Sequence, residues 1–150
     1  MMKLSKLGMT TVICIFLFIS CKSVQTTTNI NQNTSNIVEK RWKLIELNGK
    51  EFKTEGQTPE IFFILNNKDN RVTGNGGCNS FSGSYTLSEG NRISFSALVS
   101  TMMACMNMEI ETQFYKVLEA VDNYTVKDNI LSLNKARMAP LAKFALSEKQ

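Results

Sequence analysis

Met108-Glu109-Ile110-Glu111-Thr112-Gln113-Phe114-Tyr115-Lys116-Val117-Leu118-Glu119-Ala120-Val121-Asp122 differs in kind from the rest of the chain. Ile110, Phe114, Val117, Leu118 and Val121 fall on one stripe of a helix, with polar residues around the remainder of its circumference. The spacing predicts an amphipathic helix over about 108–122. Asn107 is placed to cap it, and Glu109 and Glu111 lie where the helix dipole favours negative charge. Of the acidic groups on or beside it (Glu109, Glu111, Glu119, Asp122), no two form a recognisable catalytic frame, and a solvated helix face accounts for Glu111.

Outward from this helix the period changes to two. Upstream, Trp42 and Leu44 alternate with polar residues, slip by one at Ile45, and resume at Leu47 before the Asn48-Gly49 turn. Ile61-Phe62-Phe63-Ile64-Leu65 reads as a strand and Asn66–Asn70 as a turn, with Arg71-Val72-Thr73 returning from it. A glycine-rich corner spans Gly74 to Gly83, then Ser84–Leu87 and Arg92–Ser96 alternate on either side of Glu89-Gly90-Asn91. Downstream, Tyr124–Val126 and Ile130–Leu133 form a hairpin, and Leu141–Leu146 a last strand. Seven or eight strands with one helix predict an α+β domain: a curved or half-closed antiparallel sheet packed against that helix.

The amino-terminal segment reads as an address. Lys3 and Lys6 precede eight continuous apolar residues, Val12 to Ile19, ending at Ser20-Cys21. A helix crossing a hydrocarbon core about 30 Å thick needs roughly 20 residues, so a signal peptide over 1–20 fits better than a span. Phe18-Ile19-Ser20-Cys21 resembles a lipoprotein box, with Phe18 in place of the commoner Leu, and Cys21 is the expected acylated residue. Two or three acyl chains, at about 0.8 kcal/mol per buried CH₂, hold a protein durably on a membrane. Twelve of the fourteen residues from Ser23 to Asn36 are Ser, Thr, Asn or Gln. Residues 21–39 therefore suit a lipid-anchored tether reaching roughly 20–25 Å, and the folded domain is expected over 40–150. Lys22, in place of an Asp after the acylated Cys, favours the outer membrane by analogy with enteric bacteria.

Composition removes several classes of function. Apolar residues make up 43% of the 150, enough for an ordinary core. The chain contains no His, which excludes Ser-His-Asp and Cys-His catalysis and imidazole metal sites. Against 13 acidic residues stand 17 basic ones, two of them in the leader, so the mature surplus is only two and implies no nucleic acid. Gly74-Asn75-Gly76-Gly77 lacks the Gly-Lys-Ser/Thr ending of a phosphate loop and precedes no helical pattern. Its glycines suit a sheet corner or bulge, with Asn79 capping the turn.

Sulfur is the remaining chemistry. Cys14 leaves with the leader and Cys21 takes lipid, leaving Cys78 and Cys105 in a compartment where disulfides persist. Paired, they close a loop worth on the order of 3–4 kcal/mol in the chain-entropy model; unpaired, they pack as small hydrophobes. Thiol exchange usually needs a Cys-x-x-Cys, which is absent. Thr101–Met108 holds four Met and a Cys. Soft sulfur selects Cu(I), but core packing of Met as a gap-filler accounts for the segment more simply, and no metal is expected.

Several stretches together resemble the META domain family, which includes the heat-shock protein J type of bacterial lipoprotein. They are Trp42-Lys43-Leu44 with Asn48-Gly49, Pro59–Phe63, and above all Gly74 to Tyr85, which holds Gly77, Cys78, Asn79, Phe81, Gly83 and Tyr85. Ser100-Thr101-Met102-Met103-Ala104-Cys105, Glu111 with Phe114 and Leu118, and Leu131-Ser132-Leu133 follow in family order. The resemblance implies a small α+β domain of bacterial envelopes, linked to stress and drug tolerance and to virulence or motility, with no established reaction. The expectation is a non-enzymatic lipoprotein without cofactor, anchored through Cys21. It would contact an envelope protein or a hydrophobic or cell-wall ligand; alternatives are a hydrophobic-ligand carrier and a Cu(I)-binding tolerance protein.

Overall fold

The structure, a computed structural model, describes residues 37–54, 59–106 and 108–148. The expected signal peptide, the lipid-bearing Cys21, the tether as far as residue 36 and the Asn107 cap lie outside the described residues.

Nine strands and one helix follow in order: β1 (Arg41–Leu47), β2 (Lys50–Glu51), β3 (Phe62–Asn66), β4 (Arg71–Asn75), β5 (Ser80–Ser88), β6 (Arg92–Ser100), α1 (Met108–Ala120), β7 (Asn123–Lys127), β8 (Ile130–Asn134) and β9 (Ala142–Ser147). The ninth strand beyond the seven or eight expected is the two-residue β2, which pairs with β1 across the Asn48-Gly49 turn. The helix ends at Ala120, two residues short of the expected 108–122. Val121 remains buried but lies past the last turn, where Asp122 N–H donates to the Asn134 carbonyl and leads into β7.

All pairings are antiparallel, in the order β2-β1-β3-β4-β5-β6-β7-β8-β9, and β1 also pairs with β9. That extra pairing bends the sheet into a ring. Its weak seam is β6–β7, joined only at Arg92 and Asn123. The connection that bridges this seam in sequence is α1. Phe114 reaches Phe81 of β5 and Phe144 of β9, with ring centroids 5.7 and 6.3 Å away, so the helix directs its apolar face into the ring.

The ring interior is filled by the alternate residues of each strand, among them Trp42, Phe63, Leu65, Leu131 and Phe144, all fully buried. Phe63 packs edge-to-face on Phe144 at 4.8 Å and on Phe95 at 5.9 Å. The slip at Ile45 is a β-bulge, the register shifting between Leu44 and Glu46 opposite β9. On β3 the apolar run is buried only at alternate positions; the outward Phe62 carries the Arg41 guanidinium 3.2 Å above its ring. Ile37, placed in the tether by the sequence, is fully buried and accepts a 2.8 Å hydrogen bond from Trp42 Nε1. The folded region therefore starts before residue 40, because a tryptophan entering a core needs a partner for its N–H.

Candidate functional site

The glycine-rich corner is tighter than its sequence suggests: β4 runs to Asn75 and β5 starts at Ser80, leaving four residues for the turn. Asn75, not Asn79, caps it, its Oδ1 accepting from Gly77 N–H at 2.8 Å. Gly77 has φ +115°, a conformation an L side chain would strain. The next two residues turn inward, Cys78 and Asn79 both being buried.

They meet Glu111. Glu111 Oε2 accepts from Cys78 N–H at 2.9 Å and Asn79 N–H at 2.7 Å, and Oε1 accepts from Asn79 Nδ2 at 2.8 Å. With 3% of its surface exposed, Glu111 is not on a solvated helix face, as its sequence position suggested. The first turn of α1 points it at a strand turn whose N–H groups have no ladder partner, and one carboxylate satisfies three donors there. Asn79 extends the network. Its Oδ1 accepts from Thr101 Oγ1 at 2.7 Å and Met103 N–H at 2.8 Å, while Nδ2 also donates to the Met103 carbonyl at 3.2 Å. All four hydrogen-bonding positions of the amide are used. Cys78 and Cys105 form a disulfide, Cα atoms 6.0 Å apart, tying the far end of the same segment to the corner.

The segment 101–106 is thus clamped at both ends, and its methionines point outward. Met102 is 99% and Met103 56% exposed, Met106 is fully exposed and Met108 partly so. This overturns the core-packing expectation for these residues. The ring is already full of aromatic and branched side chains, and the Asn79 bonds occupy the inward edge of the segment. Five of the six large hydrophobic residues exposed among the described residues fall between Val99 and Met108. Beside them lies a groove of about 430 Å³ bounded by Ser100, Met102, Met103, Met108, Thr112 and Tyr115. Burial, and then the nearby Glu111 carboxylate, push the Tyr115 hydroxyl up to about 12.

The family-motif residues divide between this network and its support. Cys78, Asn79, Thr101, Cys105 and Glu111 are joined directly. Phe81 packs on Phe114 and Tyr115 beneath them. Gly83 lies opposite a β6 bulge at Ala97–Leu98; a Cβ there would stand 2.6 Å from Leu98 Cδ2 and 2.9 Å from the Ser96 carbonyl. Trp42 and Tyr85 are remote anchors, Tyr85 Oη donating to the Asn66 carbonyl at 3.3 Å.

Two other acidic candidates, Glu109 and Asp122, have ordinary local partners. Glu109 accepts from Gln113 at 3.0 Å. Asp122 accepts from Ala136 N–H at 2.9 Å and Asn123 Nδ2 at 2.6 Å, bonds that lower its carboxyl below the usual range. Among the described residues no group of three or more His, Cys, Asp or Glu stands together to hold a metal ion. The sequence missed that Asn79 and Glu111 act as one unit; the signal available was an acid in the first turn of the helix together with an Asn in the glycine-rich motif, both in the stretches that carry the family resemblance.

A ring of antiparallel strands with one helix turned into it, and a disulfide-clamped corner bonded to that helix, defines a small α+β module. The META domain model matches residues 35–148, and the chain belongs to that family. Two proteins solved by NMR share the fold. One, from Burkholderia xenovorans, is 24% identical, with 79% of this chain and 88% of that one covered at a TM-score of 0.62. The other is 21% identical, covering 75% of this chain and 92% of that one at 0.59. At such identities the likeness concerns the fold alone. No curated protein matches the chain.

Proposed function

We propose that this protein is a lipid-anchored lipoprotein of the bacterial outer membrane whose META domain acts by contact, not by catalysis, in tolerance of envelope stress or drugs. Its contact surface is the methionine-lined groove, and its partner presents an apolar segment there. The supporting observation is that five exposed large apolar side chains (Val99, Met102, Met103, Met106 and Met108) lie on a stretch held by a buried polar network and a disulfide. Exposed apolar surface of this kind on a rigid frame is characteristic of interaction sites, and methionine adapts to varied partners. The chemistry of the network supports a structural role: Glu111 spends both oxygens on N–H donors, and the neighbouring tyrosine keeps its proton at neutral pH.

A photocrosslinking residue at position 103, in intact cells, is expected to give a discrete protein adduct that the same residue at position 138 does not. Equal adducts from both positions, or none from 103, would remove the groove from consideration. The anchor is tested separately: labelled palmitate follows the wild-type chain and is lost in Cys21→Ser, and unlabelled wild-type protein refutes it.

Carriage of a hydrophobic ligand is the second reading. It would use this same groove, since Phe63, Phe95, Phe114 and Phe144 occupy the ring interior. Extracted lipid bound stoichiometrically to purified protein would favour it.

A further inference from the structure

We propose that the segment Met102–Met108 is a site of reversible sulfur oxidation, taking up a hypohalous acid as methionine sulfoxide without loss of the fold. The chain has eight methionines, three of them within the expected leader. The other five, Met102, Met103, Met106, Met108 and Met138, are all exposed, although methionine is usually a core residue. Four fall within seven positions, and their backbone cannot withdraw them. Met103 is held through both its N–H and its carbonyl by Asn79, and Cys105 by its disulfide. That disulfide also leaves neither described cysteine with a thiol to react first, so the thioethers are the reactive sulfurs of this surface.

The chemistry needs only the oxidant. Sulfur gives an electron pair to the chlorine of hypochlorous acid, and hydroxide departs. The oxygen of a water molecule then bonds to sulfur as chloride leaves. Sulfur loses two electrons, chlorine gains them, and one proton is released overall. A thiol-dependent sulfoxide reductase returns the thioether, with the sulfoxide oxygen leaving as water. Sulfoxide formation ordinarily damages a protein by placing a polar group in the core. Here the side chains lie outside the core, so the oxidation changes the surface from apolar to polar and leaves the packing alone.

The test is oxidation of the purified lipidated protein in detergent with one to four equivalents of hypochlorous acid, read by intact mass, peptide mapping and thermal unfolding. Expected are sulfoxides at Met102 and Met106 first, formed at a rate on the order of that of N-acetylmethionine amide, as exposure dictates. The unfolding midpoint should stay within about 2 °C, well under the shift that 1 kcal/mol produces. Treatment with a sulfoxide reductase and thiol should restore the starting mass. The quadruple variant Met102→Leu, Met103→Leu, Met106→Leu and Met108→Leu should fold equally well and lose these additions. Oxidation tenfold slower than the model amide, preferential damage elsewhere, loss of cooperative unfolding, or unchanged oxygen uptake by the Leu variant would each overturn the proposal.

Discussion

Replacing Glu111 tests the corner network most severely. Glu111→Ala removes the acceptor for three N–H groups in a region only 3% exposed at the carboxylate-bearing residue. Each donor left unsatisfied costs about 1–3 kcal/mol, and water entering the vacated space recovers part of that. The expected loss is about 3–5 kcal/mol, a large share of the 5–15 kcal/mol typical of a domain. With a urea m-value of about 1–3 kcal/mol/M, the unfolding midpoint should fall by roughly 2 M. Glu111→Gln keeps one acceptor but turns an NH₂ toward a donor, so about half the loss is expected, which keeps the test readable if the Ala variant does not fold. The measurement is urea unfolding of the oxidised proteins by Trp42 fluorescence, with Glu109→Ala as the exposed control. Glu109 sits two positions away, is exposed and, among the described residues, bonds Gln113 alone, so its loss should cost about 0.5 kcal/mol or less. If Glu111→Ala and Glu109→Ala unfold at the same urea concentration, Glu111 does not hold the corner.

Further outcomes follow from the same geometry. Cys105→Ser opens a loop of sequence separation 27 and should cost about 3 kcal/mol, checked by unfolding against the oxidised wild type; alkylation of both thiols in freshly isolated unreduced protein would show that the bond does not form. Gly83→Ala drives a Cβ against Leu98 and the Ser96 carbonyl, with an expected cost of about 1–3 kcal/mol; no change in thermal midpoint would contradict the close approach at the bulge. Burial raises all three tyrosines, Tyr115 to about 12 and Tyr85 and Tyr124 in the same direction. The stability they contribute is complete below the unfolded value near pH 10 and is lost as pH rises through the folded values. Ultraviolet titration should therefore show no folded-state phenol ionising at its ordinary value, and a native transition there would refute the burial.

The fold was largely legible because burial imposes a period. Four apolar positions of α1 (Ile110, Phe114, Val117 and Leu118) and the alternation of β1, β5 and β6 each follow from one face meeting the core, and even the Ile45 bulge is written as a break in that alternation. Ile37 was not legible: the pair Ile37-Val38 at the end of a polar run carries no period, and its place became clear only from its packing in the core and from the Trp42 N–H that its carbonyl accepts. The methionines misled for a related reason. Residue type is a statement about transfer from water, and a full ring interior leaves such residues outside whatever their preference.

The amino-acid order alone determined the strand-and-helix grammar, the absence of histidine chemistry and the membership of a family, since each depends on local pattern or residue identity. The pairing of β1 with β9, the partnership of Glu111 with the Cys78-Asn79 turn and the outward aim of Met102 and Met103 came only with tertiary structure. Those are contacts between residues distant along the chain, selected by which unsatisfied N–H groups and which unfilled volumes the closed sheet leaves over.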